Sequence, residues 1–288
     1  MYFSLILPTY NRAWVLPRTL RLIREQEFAD WELIVVDDGS TDGTREIVET
    51  ITAEDHRVRY VYQKNARQSA ARQNGLQQAR GECVTYVDSD DEVYQNYLST
   101  AKDFLDAHPD VWFATANCDR TLELHDKNHQ LIAKVVEAPS ELPPDAITLK
   151  SYAHWKMKPC GTGIFHRRDK VTDTITWDTN FRLFEDIDFV FQFGVEYPDH
   201  FGFIPQKIFH QRQAFGNEGI CSGASYDDWA NGFEQLFKKY EQAWFMQGQE
   251  WYPRKVDEYR ERQRLILQGK YPSRIEKYFP EHAQLKTL

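Results

Sequence analysis

Apolar positions in the first 92 residues follow two alternating patterns. Short continuous apolar runs, which are typical of buried parallel strands, occupy residues 2–7, 32–36, 58–62 and 83–87. Apolar residues at helical spacing lie between these runs, at about 14–26 and 69–80, and a further helix is expected to open at 41–44. This alternation predicts a doubly wound α/β fold with a Rossmann-like, mostly parallel central sheet flanked by helices.

The pattern changes after residue 95. It predicts a helix over 95–107, a strand over 111–118, a hairpin over 121–136 and mixed structure over 148–215, with a Pro-rich loop at 139–144. The tail from about 226 is helical, with large apolar residues every three or four positions. We therefore predict a main domain over 1–225, with halves at 1–95 and 96–225, and a helical C-terminal extension over 226–288.

Composition and charge narrow the function classes. The chain has 288 residues, a net charge of −9 and 41% hydrophobic residues, so it is globular and lacks the basic character of a general nucleic-acid binder. Four cysteines match no metal-binding spacing and are expected to be buried thiols: Cys83, Cys118, Cys160 and Cys221. No apolar run reaches the roughly 20 residues that span a bilayer, which favours a cytoplasmic location.

Three polar loops follow the predicted parallel strands, at 8–12, 37–40 and 88–91. In doubly wound sheets, ligands bind beyond the carboxyl ends of the strands. We therefore expect these loops to converge on one crevice.

The acidic loop Asp88-Ser-Asp-Asp91 carries the most direct chemical signal. One or two carboxylates at a strand end can hold Mg²⁺ or Mn²⁺, which neutralises a nucleotide-diphosphate leaving group. An acidic turn without a ligand is the structural alternative.

The other two loops offer nucleotide contacts. Asp38 could accept hydrogen bonds from a base or ribose, or it could cap the next helix as an Asx turn. Tyr10 could stack on a base and Arg12 could approach a phosphate, while the alternative is a plain strand-to-helix loop capped by Asn11.

Taken together, these segments resemble the family 2 glycosyltransferases, which have the GT-A fold and invert the anomeric centre. The resemblance is strong over residues 1–95 and looser to about 215. It is carried by four segments: Pro8-Thr-Tyr-Asn-Arg12, Val36-Asp-Asp-Gly-Ser-Thr-Asp-Gly-Thr44, Ser69-Ala-Ala-Arg-Gln-Asn-Gly75 and Asp88-Ser-Asp-Asp91. It implies that 1–95 binds the nucleotide and that 96–225 supplies the acceptor and catalytic half.

The resemblance also assigns roles to residues of the first half. The implied nucleotide-binding residues are Pro8, Thr9, Tyr10, Arg12, Asp38, Arg72 and Asp88. Asp90 is the implied metal ligand, with Asp91 as an alternative, and Asp88 could contact either ribose or metal.

The second half supplies a candidate base. Glu185 and Asp186 match an acidic pair that holds the base in the resembling family, and Asp186 is favoured; capping of a helix is the alternative. Gly161-Thr-Gly163, with Thr162 at its centre, could approach the donor or acceptor sugar, or could form an ordinary turn. By the resemblance, His210 could ligate the metal or touch the diphosphate, whereas a lone histidine is more often structural; nearby Arg212 could contact phosphate instead.

The predicted function is transfer of a single sugar from a nucleotide-diphosphate sugar, with UDP favoured, to a saccharide, lipid-linked or other hydroxyl acceptor, using Mn²⁺ or Mg²⁺. The absence of Gln-x-x-Arg-Trp, which marks processive synthases of the family, favours single transfer.

Three alternative functions remain to be compared with the sequence. A dehydrogenase would need Gly-x-Gly-x-x-Gly after the first strand, and a GT-A-like nucleotidyltransferase would need a glycine-rich basic loop there. A non-catalytic nucleotide-sugar binder is the third. The basic stretch 254–277 could face an anionic membrane, or it could form a plain solvated helix.

Overall fold

Four parallel strands form the first half of the central sheet. The computed structural model describes residues 1–137, 147–153, 160–215, 224–248 and 251–285. These strands have the order β3-β2-β1-β4 and the bounds β1 Phe3–Thr9, β2 Trp31–Asp37, β3 Val58–Tyr62 and β4 Cys83–Tyr86. Every residue of β1 and β2 is buried, which confirms that their continuous apolar runs belong to a sheet covered on both faces.

Three helices provide that cover: α1 Leu16–Arg24, α2 Thr44–Glu54 and α3 Arg67–Gln78. Leu5 and Leu33 belong to the same buried cluster as Leu20 of α1. On the other face, a Cβ atom at Gly75 of α3 would lie 2.4 Å from Ile6 Cγ2, so only glycine permits this approach. Alternate residues along each strand therefore pack against helices on opposite faces of the sheet.

Antiparallel strands complete the sheet. The order continues from β4 through β8 Ile164–Arg167, β6 Phe113–His125 and β9 Phe201–Phe215 to β5 Glu92–Val93, and β7 Leu131–Val136 pairs with β6. The accompanying helices are α4 Tyr97–Ala107, α5 Leu149–Ala153 and α6 Glu185–Glu196. The predicted hairpin and the helix near 95–107 are confirmed. Strand β5 was not predicted because two residues carry no periodicity, and β6 extends further than the predicted strand, through polar positions.

The chain forms two compact units. The first comprises Met1–Asp119, Ser140–Thr179 and Glu185–Gln211, and the second comprises Arg120–Pro139, Asn180–Phe184 and Arg212–Leu288. All of the candidate site residues except Arg212 lie in the first unit; Arg212 belongs to the second unit, where it pairs with Glu123. The site can therefore be described within one compact body.

The second unit contains the helical tail, with α7 Tyr226–Tyr240, α8 Trp251–Leu267 and α9 Arg274–Tyr278. A capping box between Ser225 and Asp228 begins α7. The large apolar residues of α7 pack inward. The centroid of the buried Phe233 ring lies 5.9 Å from that of Tyr252 and 5.5 Å from that of Tyr259, both in α8.

Basic side chains of α8 make ion pairs within this unit. Arg260 lies 2.6 Å from a Glu234 carboxylate oxygen and Lys255 lies 2.7 Å from Glu258. Contact of the basic tail with a membrane stays a prediction. Among the described helices, none has the length and apolar content needed to cross a membrane.

The predicted buried thiols are partly confirmed. Cys83 and Cys160 are buried and Cys118 is half-buried, all as free thiols. Cys221 and the Pro-rich loop at 139–144 lie outside the described residues.

Candidate active site

The loops that follow β1 and β2 are joined by hydrogen bonds. The Asp38 amide donates to the Thr9 carbonyl at 2.8 Å, the Asn11 amide donates to Ser40 Oγ at 2.9 Å, and the Thr41 amide donates to Asn11 Oδ1 at 2.8 Å. Asn11 has φ +52°, a left-handed conformation that asparagine tolerates better than most residues. The structure thus brings these two loops together, as predicted, and Pro8 lies opposite Val36 at their base.

Asp38 is buried and holds the segment that leads into α3. Its Oδ1 accepts hydrogen bonds from Gln63 Nε2 and the Ala66 amide, both at 2.8 Å. The expected Asx turns are made instead by Asp37, which accepts from the Ser40 amide, and by Asp42, which accepts from the Thr44 amide. Asp38 is therefore fixed by contacts other than a cap on α2.

Thr9 and Tyr10 present two different surfaces beside Asp38. The Thr9 side chain is buried, and its hydroxyl has no hydrogen-bond partner among the described residues. The Tyr10 side chain is 48% exposed. A buried hydroxyl without a partner is costly, so this edge is suited to a polar ligand that the Tyr10 ring could cover.

Arg72 connects the acidic turn after β4 to the start of α6. Its Nη2 lies 2.6 Å from Asp88 Oδ1 and its Nη1 lies 2.8 Å from Glu185 Oε1, although the Arg72 side chain is only 2% exposed. The guanidinium also lies 4.7 Å from the centroid of the Trp177 ring. Burial opposes the charge, but the two carboxylates outweigh it and raise the pKa of Arg72, so it stays protonated.

The Gly161-Thr-Gly163 segment is bonded to the acidic turn. The Thr162 hydroxyl accepts from the Asp88 amide at 2.9 Å and donates to Asp91 Oδ2 at 2.5 Å. A Cβ at Gly161 would lie 2.5 Å from Arg72 Nη2, so a side chain there would displace the ion pair. Gly163 has φ +87°, which favours glycine. Asp91 is buried at 2% exposure, and its carboxylate faces Thr162.

Asp90 is the more exposed aspartate of the predicted metal pair, with 25% of its side chain accessible. Arg12 Nη2 lies 3.9 Å from Asp90 Oδ2, and Arg18 donates to the Asp90 carbonyl at 3.0 Å. Arg18 also pairs with Glu92 at 2.8 Å, and Glu92 lies opposite His210 with 3.5 Å between carboxylate and Nδ1. His210 therefore reaches the acidic turn through Glu92 and Arg18.

The acidic turn fits a divalent cation held jointly with a substrate. No cluster of three or more His, Cys, Asp or Glu side chains with metal-binding geometry occurs in the part of the chain that the structure describes. Mg²⁺ and Mn²⁺ bound with phosphates need only one or two carboxylates. Asp90, which is partly accessible beside Arg12, meets that requirement.

Glu185 and Asp186 begin α6, as predicted, but their environments differ. Glu185 is buried and receives hydrogen bonds from both Arg72 and Gln68. Asp186 is half-buried, and its Oδ1 accepts from the Ile187 amide at 2.8 Å. Burial and the adjacent Glu185 carboxylate raise the pKa of Asp186, which suits a group that must accept a proton.

Sequence reasoning missed four contributors to this site: Gln68, Trp177, Arg18 and Glu92. Gln68 lies four residues before Arg72 on α3, so helical spacing could have identified it. Trp177, Arg18 and Glu92 reach the site through tertiary contacts that leave no local pattern.

The buried bridge yields a stability prediction. Arg72→Gln leaves the Asp88 and Glu185 carboxylates without their cation, and we expect unfolding free energy to fall by about 3–5 kcal/mol. Urea denaturation measures this. Arg45→Gln is the matched control, because Arg45 forms an exposed i,i+4 pair with Glu49 and its loss should leave the unfolding free energy almost unchanged. Equal losses for the two variants would contradict the bridging role.

Comparison with known proteins supports the family that these motifs predict. The sequence profile of glycosyl transferase family 2 matches residues 4–176, which is more than half of the chain. The GalNAc(5)-diNAcBac-PP-undecaprenol beta-1,3-glucosyltransferase of Campylobacter jejuni is 41% identical over 99 residues, covering 34% of this chain and 32% of that protein. Glycosyltransferase GlyG of Streptococcus pneumoniae is 40% identical over 98 residues, covering 34% and 33%. The matched segment thus spans about a third of these relatives.

Solved structures share the fold. S. aureus TarS residues 1–349 in complex with UDP-GlcNAc superposes with a TM-score of 0.62 at 24% identity, covering 83% of this chain and 66% of that one. The mannosyltransferase PcManGT from Pyrobaculum calidifontis, in complex with GDP-Man and Mn²⁺, gives a TM-score of 0.60 at 16% identity, covering 99% and 81%. The α/β fold is therefore the GT-A fold. With its family profile, its motifs and its fold in agreement, the chain belongs to glycosyl transferase family 2, a family of glycosyltransferases.

Proposed function

We propose that this protein transfers a single sugar, with inversion, from a nucleotide-diphosphate sugar to a hydroxyl acceptor. The observation that carries the proposal is the Arg72 bridge, which connects the acidic turn at Asp88 to the carboxylate pair at Glu185 and Asp186. A group that can assist a diphosphate leaving group and a group that can accept a proton thereby belong to one site. Residues 1–95 would bind the nucleotide, 96–225 would complete the active site and 226–288 would form the extension.

The nucleotide would lie along the joined loops after β1 and β2. The buried Thr9 hydroxyl can bond to a polar ligand atom, and the exposed Tyr10 ring can stack on a base. Asp38 lies beside them with one carboxylate oxygen already engaged, which leaves the other for a base or ribose. UDP is the favoured nucleotide. Arg72 would act on the nucleotide side of the site through its ion pair with Asp88.

The diphosphate would lie against the acidic turn. Asp90 would hold Mn²⁺ or Mg²⁺ there, with His210 or Asp91 as further candidate ligands. When bound, the cation would supply charge neutralisation for the departing diphosphate. Arg12, 3.9 Å from Asp90, would add positive charge on the same side.

Asp186 would accept the proton of the acceptor hydroxyl as its oxygen attacks the anomeric carbon. Glu185 is less suited to this role because its buried carboxylate already accepts hydrogen bonds from Arg72 and Gln68. A carboxylate engaged in this way is less available to an acceptor hydroxyl. Gly161, Thr162 and Gly163 lie beside the bridge and would border the donor or acceptor sugar.

The acceptor would be a saccharide or a lipid-linked saccharide. The Campylobacter jejuni relative is named for an undecaprenol-linked substrate, which supports this class without defining the sugar. Among the described residues, Asp90 is partly accessible and Asp186 is half-buried. Both carboxylates could therefore reach a substrate, which favours an enzyme over a non-catalytic binder.

A donor screen tests the reaction class. Purified protein is incubated with UDP-, GDP- and dTDP-sugars and Mn²⁺ or Mg²⁺, and nucleotide release is followed. We expect release from one donor, abolished by EDTA and reduced at least about 100-fold in Asp90→Ala, because the leaving group loses its counter-charge. Donor binding by calorimetry without any release, even with saccharide acceptors, would point to a binder instead of an enzyme.

The two carboxylates of α6 are separated by paired substitutions. Asp186→Asn should retain donor binding and lose about 100-fold or more of kcat, the usual scale of a lost general base. Glu185→Gln should lower kcat less while reducing stability, because it weakens the pair with Arg72. A near wild-type kcat in Asp186→Asn would reject the base assignment.

The raised pKa of Asp186 predicts a shifted pH profile. The active form is the deprotonated one, so a higher pKa means that kcat begins to fall at a higher pH on acidification. We expect the acid limb to lie well above the pKa of an ordinary aspartate, about 3.9. Initial rates at saturating donor, with unfolding monitored in parallel, measure it; a profile flat down to pH 5 would contradict the expectation.

A further inference from the structure

The backbone of the acidic turn is held by helix α1. The Thr19 hydroxyl shares its proton between the Ser89 carbonyl at 2.8 Å and the Asp91 carbonyl at 3.3 Å. The preceding residue, Arg18, donates from Nη2 to the Asp90 carbonyl at 3.0 Å. Two successive residues of α1 thus bind the carbonyls of three successive residues of the turn. All of these residues belong to the first compact unit.

Thr19 is the polar residue on an otherwise apolar buried face of α1. The other buried residues of this helix are Leu16, Leu20 and Ile23, and Thr19 itself is completely buried. A buried hydroxyl is costly unless it is hydrogen-bonded, and a threonine inside a helix often bonds to the preceding turn of its own helix. Thr19 instead bonds to residues 70 and 72 positions away. Its hydroxyl therefore serves the acidic turn.

The turn is also held by the segment that precedes β8. Thr162 accepts a hydrogen bond from the Asp88 amide and donates to the Asp91 carboxylate. Within the turn, the Asp91 amide donates to the Asp88 carbonyl at 3.1 Å. These bonds fix the ends of the turn, while α1 binds its carbonyls. The Asp90 carboxylate remains partly accessible, with 25% of the side chain exposed.

The orientation of the Asp90 peptide groups determines where its carboxylate lies. The aspartate side chain is short, so a rotation of the adjoining peptide groups moves the carboxylate with them. Divalent cations such as Mg²⁺ demand nearly ideal coordination geometry, and they tolerate such displacement poorly. Groups that hold a metal ligand in place typically contribute about 10- to 100-fold to metal affinity. The bonds from α1 resist this rotation.

We propose that Thr19 is a positioning residue that fixes the peptide groups of the acidic turn, so that Asp90 presents its carboxylate to a divalent cation bound with the donor diphosphate. Arg18 adds a further bond to the same turn. Because Thr19 is completely buried, it would act through the backbone of the turn and not by contact with cation or substrate. This inference rests on the metal role of Asp90 in the proposed function.

Thr19→Val and Thr19→Ala test the proposal, because they remove the hydroxyl without changing a charge near the cation. Alanine is the stronger helix former, so Thr19→Ala preserves the test if the valine variant does not fold. Mn²⁺ binding is measured by electron paramagnetic resonance of free Mn²⁺, with saturating UDP or the diphosphate that the donor screen selects. We expect the Kd for Mn²⁺ to rise at least about 10-fold, with binding of the same diphosphate in EDTA changed by less than about twofold. An unchanged Kd for Mn²⁺ would overturn the proposal.

Two further variants separate positioning from general destabilisation. Thr19→Ser keeps the donor and should retain the Mn²⁺ affinity to within about threefold; a loss as large as that of Thr19→Ala would overturn the role of the hydroxyl. Thr115→Val is the matched control, because Thr115 is also buried but its hydroxyl bonds to Tyr152. It should lower the urea midpoint and leave the Mn²⁺ affinity unchanged, whereas an equal loss of affinity would reject the proposal.

The wild-type protein distinguishes this inference from the function on which it rests. Absence of Mn²⁺ binding by the wild-type protein would reject the metal role of Asp90, and this inference with it. Wild-type binding of Mn²⁺ that survives removal of the Thr19 hydroxyl would reject the positioning role alone.

Discussion

A single guanidinium holds the candidate site together. Arg72 is removed from solvent, yet it carries a full charge that two carboxylates from distant parts of the chain, Asp88 and Glu185, must balance. A buried ion pair is costly to break, because removal of one partner leaves the other charged and desolvated. The acidic turn after β4 and the first turn of α6 are therefore constrained to stay together. Gly161 belongs to the same constraint, since any side chain there would enter the space of the pair.

The Arg72 bridge also gives the neighbouring carboxylates Glu185 and Asp186 different environments. The Glu185 carboxylate accepts hydrogen bonds from Arg72 and Gln68. Asp186 is the next residue, and burial and the neighbouring Glu185 carboxylate raise its pKa. Adjacent acidic residues on one helix turn thus acquire different chemical properties from their surroundings alone, as expected where an acid or base function is tuned by environment.

The sheet explains how residues so far apart in sequence meet. Its parallel half, β1 to β4, brings the three polar loops to one edge, and a hydrogen bond from the Asp38 amide to the Thr9 carbonyl joins two of them directly. Its antiparallel half returns the chain beside β4 through β8, which places Gly161 and Thr162 against the acidic turn. Strand β5, only two residues long, pairs Glu92 with His210 and so connects that turn to the far end of the sheet.

The sequence by itself determined the parallel half of the fold, the loops that end its strands and the identity of the acidic turn. It could do so because continuous apolar runs, helical spacing and short polar motifs are local properties of the chain. Only the tertiary structure decided that Arg72 is a buried bridge and that Asp91 faces Thr162 while Asp90 remains accessible. These outcomes depend on burial and on partners 16 to 113 positions away, and the strength and direction of a charge interaction follow from that environment, which no local pattern encodes.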